Sequence, residues 1–406
     1  MSSRFLSGDF KPGTLRSGTF GPGSWQMNVA VVAAGIATFI NMYCTQSILP
    51  VLADAFHVPQ AQTGLSVTAP LLATAMVAPV VGAISDRFGR KRLILGAASL
   101  LVIPTALAAD AGNFEMFVFW RFVQGLMLPF IFTVTIAYIG DESEGPMTAR
   151  LAGIYMAGTI TGGFSGRLIT GFATQFMGWR GAMLVVAAIT FSMAMVVAVM
   201  MRREQRFKAQ YGIGRALKSF PIHLSNPRLL ATFAVGFGVL FSLIAVFTYV
   251  NFRLAAAPYF LGPAALGSIF VVYLGGVVMS PLAGRLANRF GRRRVMAAAA
   301  PILVLGLMIT LAAPLWMIIV GLLMFCSGVF VQQTVGTAFV SQAAREAKST
   351  AVGLYVMCYY IGGSAGGILP AGVWHSFGWP GCVAIVCAMQ AMMLAVAMRY
   401  WTPLTS

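Results

Sequence analysis

Two arginines stand inside apolar runs where a fixed charge is costly. Arg121 lies between MFVFW and FVQG, and Arg167 lies in TITGGFSGRLITGF, residues 159–172. A guanidinium stays charged and presents a planar fork of N–H donors. It can therefore hold a carboxylate or phosphate, clamp free backbone carbonyls, or snorkel its head to a membrane surface. The other reactive side chains do not assemble into a centre. His57, His223 and His375 are scattered among loops and helix ends. Cys44, Cys326, Cys358, Cys382 and Cys387 show neither CxxC nor Cys/His spacing, and no carboxylates are paired. The pattern argues against an enzyme and against a bound metal, and no cofactor is expected.

The segments that carry these arginines are of one kind. The chain of 406 residues is 59% hydrophobic and only 9% charged, whereas soluble chains are about 25% charged. Its apolar residues form successive blocks of roughly 20, the length that crosses a bilayer as a helix. A membrane β-barrel would instead alternate apolar and polar residues over about 10. The blocks predict an all-α integral membrane protein with helices near 27–50, 64–84, 93–109, 114–138, 149–174 and 181–201. Six more fall near 229–252, 263–286, 294–312, 314–338, 349–374 and 381–400.

The net charge of +17 sorts by side. With the N-terminus cytoplasmic, basic residues crowd the cytoplasmic segments. Only Arg180 and Arg253 fall in the opposite loops, and Arg121 and Arg167 within spans. The positive-inside rule accounts for that split without nucleic acid. It places both termini in the cytoplasm of a multi-pass inner-membrane protein. Residues 1–26 hold glycines, prolines and three basic residues but no apolar signal core, so a flexible cytoplasmic tail is expected.

The chain also repeats itself. GAISDRFGRKR, residues 82–92, returns as GRLANRFGRRR, residues 284–294. Residues 152–182 align with 352–382 through Gly153/Gly353, Tyr155/Tyr355, Gly162/Gly362, Gly166/Gly366 and Trp179/Trp379. Two six-helix bundles, 27–200 and 229–401, follow from this parallel repeat. They are joined by a basic cytoplasmic linker, 201–228, expected to lie on anionic lipid, and followed by a short tail, 402–406. Within the first loop, Gly82 is expected to permit close helix contact and Gly89 a tight turn. Asp86 can pair with Arg87 or Arg90, or accept from the free N–H groups of a helix start.

These motifs resemble the major facilitator superfamily over almost the whole chain. GAISDRFGRKR looks like its loop signature between the second and third helices. RFVQG, residues 121–125, is similar to the Arg-x-x-Gln-Gly motif of proton-coupled members. Gly153, Gly162, Gly166 and Gly171 match the glycine-rich motif of the twelve-helix drug:proton antiporter branch. Arg167 replaces the proline of that motif and Thr170 a glycine.

The resemblance implies alternating access, with two bundles rocking about a central site. The helices that line it are usually the first, fourth, seventh and tenth, with help from the fifth, eighth and eleventh. Candidate substrate contacts are then Asn41, Tyr43, Thr45 and Gln46 on the first helix, with Gln124 and Arg167. The second half adds Tyr249, Asn251, Gln332, Gln333, Tyr359 and Tyr360. Gating or coupling falls to Asp54, Gly82, Asp86, Arg87, Gly89, Arg90, Arg121, Gly162 and Gly166. Drug antiporters of the family commonly carry a membrane-embedded acid, and this sequence has none near the midplane. Asp54 is the only carboxylate near the first helix, so a proton would use it, a loop acid or the substrate's own acid group.

The reading that results is a secondary transporter, most simply a monomer in the lipid bilayer, exporting an anionic or neutral amphipathic small molecule. A proton gradient is its candidate energy source. Uptake or uniport of a small organic anion or sugar-like solute is the alternative, and a non-transporting membrane sensor a remote one.

Overall fold

The computed structural model describes residues 24–204, 220–344 and 348–401. Most of the expected N-terminal tail, the middle of the basic linker and the tail at 402–406 lie outside the described residues. Apolar helices account for nearly everything described. In hydrocarbon every backbone donor and acceptor must be met within the chain, and a helix does this by itself. The same constraint explains why Pro70, Pro79, Pro104, Pro129, Pro281 and Pro301 sit inside helices, where neighbouring spans compensate for the missing N–H groups.

The first four spans are Trp25–Phe56, Gln60–Phe88, Arg90–Ala109 and Phe114–Glu142. The fifth and sixth form one helical run, Pro146–Met200, which turns at Gly178 with φ 70°. At 1.5 Å per residue a run of 55 residues is far too long for one crossing. The second half repeats the plan with Pro227–Ala255, Pro263–Phe290, Arg292–Ile309, Leu315–Ala343 and Lys348–Ile368. Pro370–Tyr400 turns at Gly378 with φ 59°. Its first residues extend the eleventh span, and the twelfth follows. Twelve crossings put Trp25 and Trp401 on one face of the molecule, called here the basic face; the other is the far face.

The first span, expected as a helix near 27–50, is not one continuous helix. Its helix ends at Tyr43, passes through a turn at Cys44–Thr45 and a 3-10 stretch at Gln46–Ile48, and resumes at Leu49–Phe56. The eighth span has a similar break, with a 3-10 stretch at Phe270–Tyr273. Both breaks lie beside Arg167.

Glycines set the packing inside each half. On the fifth span a Cβ at Gly158 would sit 2.9 Å from the Cα of Val32, one at Gly162 2.7 Å from that of Ile36, and one at Gly166 2.9 Å from that of Ile40. The three glycines and their three partners recur every four residues, so two helix ridges lie backbone to backbone. The second half does the same with Gly362 on Phe237 and Gly366 on Phe241. Gly162 and Gly166, named as candidates for gating or coupling, join the first span to the fifth within one half. Gly82 is corrected. It is exposed, and a Cβ there would meet nothing within 4 Å.

Gly162→Ala should destabilise the protein, because overpacking costs roughly 1–3 kcal/mol and exceeds the helix-propensity gain of about 1 kcal/mol. Gly153 belongs to the same motif but has open space around it, so Gly153→Ala should be neutral or stabilising. Thermal unfolding of the two purified variants checks the contrast; equal shifts would contradict it.

Candidate functional site at two buried arginines

Arg121 and Arg167 are the two largest fully buried side chains among the described residues, at 0% and 1% exposure. Neither snorkels. Their surroundings differ in one decisive respect.

Arg121 closes the break in the first span. Its Nη1 donates to the carbonyl of Asn41 at 2.6 Å and its Nη2 to that of Met42 at 3.0 Å, while Nε reaches the carbonyl of Ser66 on the second span at 2.9 Å. A helix that stops at Tyr43 leaves such carbonyls without their usual donors, and the guanidinium supplies them. Gln124, one turn along, accepts from Nη1. Gly125 lets the fourth span settle on the second, since a Cβ there would lie 2.5 Å from the Cα of Pro70. All three named residues of RFVQG thus serve one junction inside the first half. Every nitrogen of Arg121 has a partner, and none of those partners belongs to the second half.

Arg167 sits between the halves. Its Nε donates to Gln46 Oε1 at 2.8 Å and its Nη1 to the carbonyl of Gly163 at 2.7 Å. Its Cζ lies 4.2 Å from the ring centroid of Tyr43 and 4.7 Å from those of both Phe270 and Tyr273. In a 3-10 helix side chains three apart eclipse one another, which is how Phe270 and Tyr273 present both rings to one cation. Each such contact contributes about 0.5–2 kcal/mol. Two donors remain unmatched here, Arg167 Nη2 and the Tyr273 hydroxyl, and one acceptor, Asn251 Oδ1; all three are buried without a partner. Among the described residues Arg167 makes no ion pair, so its charge is balanced only by dipoles and rings.

The halves close around this point toward the far face. Gln46 Nε2 donates to Thr248 Oγ1 at 3.4 Å, and Asn251 Nδ2 donates to the Gln46 carbonyl at 2.8 Å. Thr68 Oγ1 donates to the carbonyl of Ser364 at 3.1 Å. The fifth and eighth spans cross where a Cβ on Gly267 would lie 2.7 Å from the Arg167 carbonyl. Toward the basic face, Phe132 and Tyr360 meet edge-on with centroids 6.0 Å apart, beside Tyr359.

The candidate contacts therefore divide. Tyr43, Gln46, Arg167 and Asn251 converge, and Tyr359 and Tyr360 stand below them, with Gln333 half-buried on the tenth span. Tyr249 donates to the carbonyl of Gly367 and packs on Phe252 and Trp374. Asn41 is corrected: it ties the first span to Thr190 on the sixth and Thr105 on the third, away from the centre. Thr45 faces the carbonyl of Ser66, and Gln124 serves Arg121. Gln332 bonds Gln390 on the twelfth span, which in turn bonds Ser242. Phe270, Thr248 and Tyr273 were missed. A tyrosine in the apolar run SIFVVYLGG was the available signal.

The basic-face loop works within the first half. Arg90 pairs with Asp86 at 2.7 Å and with Asp141 at 2.9 Å. Gly89 adopts φ 91°, as its turn requires. The helix start that Asp86 was a candidate to cap is met instead by Glu204, which accepts from the backbone N–H of Lys91 at 3.3 Å. Arg87 is exposed and lies over Phe88. Asp54 is corrected: it is exposed at the far end of the first span, away from the convergent residues.

A profile described as Major Facilitator Superfamily matches residues 31–277 and 256–405. The chain is 31% identical over 389 residues to the inner membrane transport protein YnfM of Escherichia coli (strain K12), covering 95% of this chain and 92% of that protein. It superposes on the nucleoside transporter NupG with a TM-score of 0.76 at 13% identity, covering 93% of this chain and 100% of that one. A bacterial homolog of the human lysosomal transporter Spinster, solved in an inward-facing and occupied conformation, gives 0.72 at 16% identity, covering 95% and 96%. The chain belongs to the major facilitator superfamily, and it is a multi-pass membrane transporter with a small-molecule substrate.

Arg121→Leu should sharply lower the yield of folded protein, because each buried carbonyl left without a donor costs about 1–3 kcal/mol. Size-exclusion chromatography and thermal unfolding of membrane extracts measure this. Normal stability would show that the break in the first span does not need the clamp.

Proposed function

We propose that this transporter exports small amphipathic organic anions from the cytoplasm across the inner membrane, with the basic face cytoplasmic. The single observation that carries the reading is the unpartnered pair at the junction of the halves, Arg167 Nη2 and the Tyr273 hydroxyl. A buried charge is tolerated when it is paired and hydrogen-bonded. A carboxylate accepts from both donors at once and supplies the missing negative charge. The rings of Tyr43, Phe270 and Tyr273 around it suit an apolar body attached to that acid group.

Export follows from the driving force. The described spans offer no central carboxylate to carry a proton, and Asp54 is exposed at the far end. An inside-negative potential by itself favours the exit of an anion by roughly 2.3 kcal/mol per charge at 100 mV, about fiftyfold in concentration. The glycine-rich fifth span and RFVQG support placement near the drug:proton antiporter branch. In this reading, coupling to a proton antiport is replaced by coupling to the membrane potential. Opening the far face requires the fifth and eighth spans to part, which takes Arg167 away from Phe270 and Tyr273.

Flux of matched carboxylates and their neutral amides from proteoliposomes tests the proposal. The carboxylates should move, faster under an imposed potential and indifferently to a pH gradient. Arg167→Gln should fold and lose at least tenfold in rate, the equivalent of about 1.4 kcal/mol, and Tyr273→Phe should show a smaller loss. Transport of amides but not acids, or unchanged flux in Arg167→Gln, would overturn the anion site. A strict requirement for a pH gradient would overturn the driving force.

A further inference from the structure

The first and second halves share the same basic loop but do not neutralise it in the same way. In the first half Arg90 has Asp86 and Asp141, and Glu204 covers the start of the third span. In the second half Asn288 stands where the repeat has Asp86. Arg285, Arg289, Arg292, Arg293 and Arg294 make no ion pair among the described residues; Arg293 reaches only the sulfur of Met398 at 3.4 Å. Five guanidinium groups within ten residues of two helix ends and their loop have no negative partner among the described residues.

Directly above them is a groove between the eighth, ninth and tenth spans. The eighth and tenth spans touch at Gly275 and Leu323 and at Gly276 and Phe330, then part toward the basic face. The ninth and tenth stay close, since a Cβ on Gly328 would lie 2.7 Å from the Cβ of Leu303. What remains is a cavity of about 340 Å³ walled by Met279, Leu286 and Phe290 on one side and by Ala298, Ile302 and Ser327 on the other. Its walls are almost wholly apolar. Arg294 stands at its rim, exposed.

We propose that this groove is a binding site for one anionic phospholipid, its phosphate on Arg294 and the neighbouring arginines and one acyl chain in the cavity. The groove opens to the bilayer, so a hydrocarbon chain reaches it without crossing water. The chain leaves lipid for walls as apolar as lipid, so the groove contributes shape and van der Waals contact, and the selection falls to the headgroup. Basic pockets between spans at a membrane face select anionic headgroups, and each Lys or Arg near the surface adds to the selection. The site is separate from the Arg167 site and does not depend on the substrate.

Native mass spectrometry of the full-length protein, released from mixed dioleoylphosphatidylglycerol and dioleoylphosphatidylcholine nanodiscs, tests it. The wild type should retain phosphatidylglycerol in preference. Arg294→Gln should lower that preference about fivefold, the ratio equivalent to roughly 1 kcal/mol. Ser327→Leu fills the cavity and should lower retention of both lipids; Ala298→Leu serves the same purpose if that variant fails to fold. Arg92→Gln, the counterpart in the first half, should leave the preference unchanged. A preference unaltered in Arg294→Gln, retention unaltered by the filled cavity, or an equal loss in Arg92→Gln would each overturn the site.

Discussion

A guanidinium enclosed by a membrane protein must find every partner within the protein, because hydrocarbon offers none. The architecture at the centre of this chain can be traced to how two arginines meet that demand. Arg121 meets it with carbonyls that a broken helix leaves free. The break and the charge sustain each other: without the arginine the Met42 carbonyl would lose its donor and that of Asn41 would keep only the Cys44 thiol, and without the break the arginine would keep only the Ser66 carbonyl and Gln124. Gln46 then occupies the 3-10 stretch next in sequence, placed to reach both Arg167 and the second half. Arg167 meets the same demand only in part. Two hydrogen bonds and three aromatic faces leave one nitrogen free, beside a tyrosine hydroxyl that is also free. The first arginine is complete as structure, and the second is complete only with something added.

The internal repeat shows that this asymmetry is not imposed by the fold. Gly367 is the counterpart of Arg167, and there the eleventh span lies so close to Thr68 on the second that a side chain would clash. The glycine ridges, the turns at Gly178 and Gly378, and the positive φ at Gly89 and Gly291 are retained in both halves. The chemistry is confined to one of two equivalent crossings. The same holds at the basic face, where Asp86 and Asp141 pair with the first loop and no described acid pairs with the second.

Much of this was legible in the sequence, for physical reasons. Uninterrupted apolar blocks, basic loops and a long-range repeat report the span number and the two halves directly, since the bilayer fixes helix length. The turn at Gly89 was readable because only glycine adopts its backbone cheaply. The break after Tyr43 was only half readable: Pro50, at the start of the resumed helix, marks where a straight helix must yield, but the residue that stabilises the break lies far along the chain at Arg121. Helix direction was equally hidden. Asn41 and Gln332 look like candidates for a polar cavity, but each serves a hydrogen-bond chain to an outer span through Thr190 or Gln390. Periodicity in a span that is apolar all round does not say which side faces the centre. Arg167 was singled out from its type alone, while Phe270 and Tyr273 acquire meaning only once a 3-10 turn stacks them over it.

The most direct measurement is a thermal-stabilisation screen of the purified protein against pairs of small molecules that differ only in carboxylate versus amide. The account predicts that at least one carboxylate raises the unfolding temperature, that its amide does not, and that the shift disappears in Arg167→Gln. Stabilisation by neutral or cationic compounds alone, or an equal shift in the variant, would contradict it.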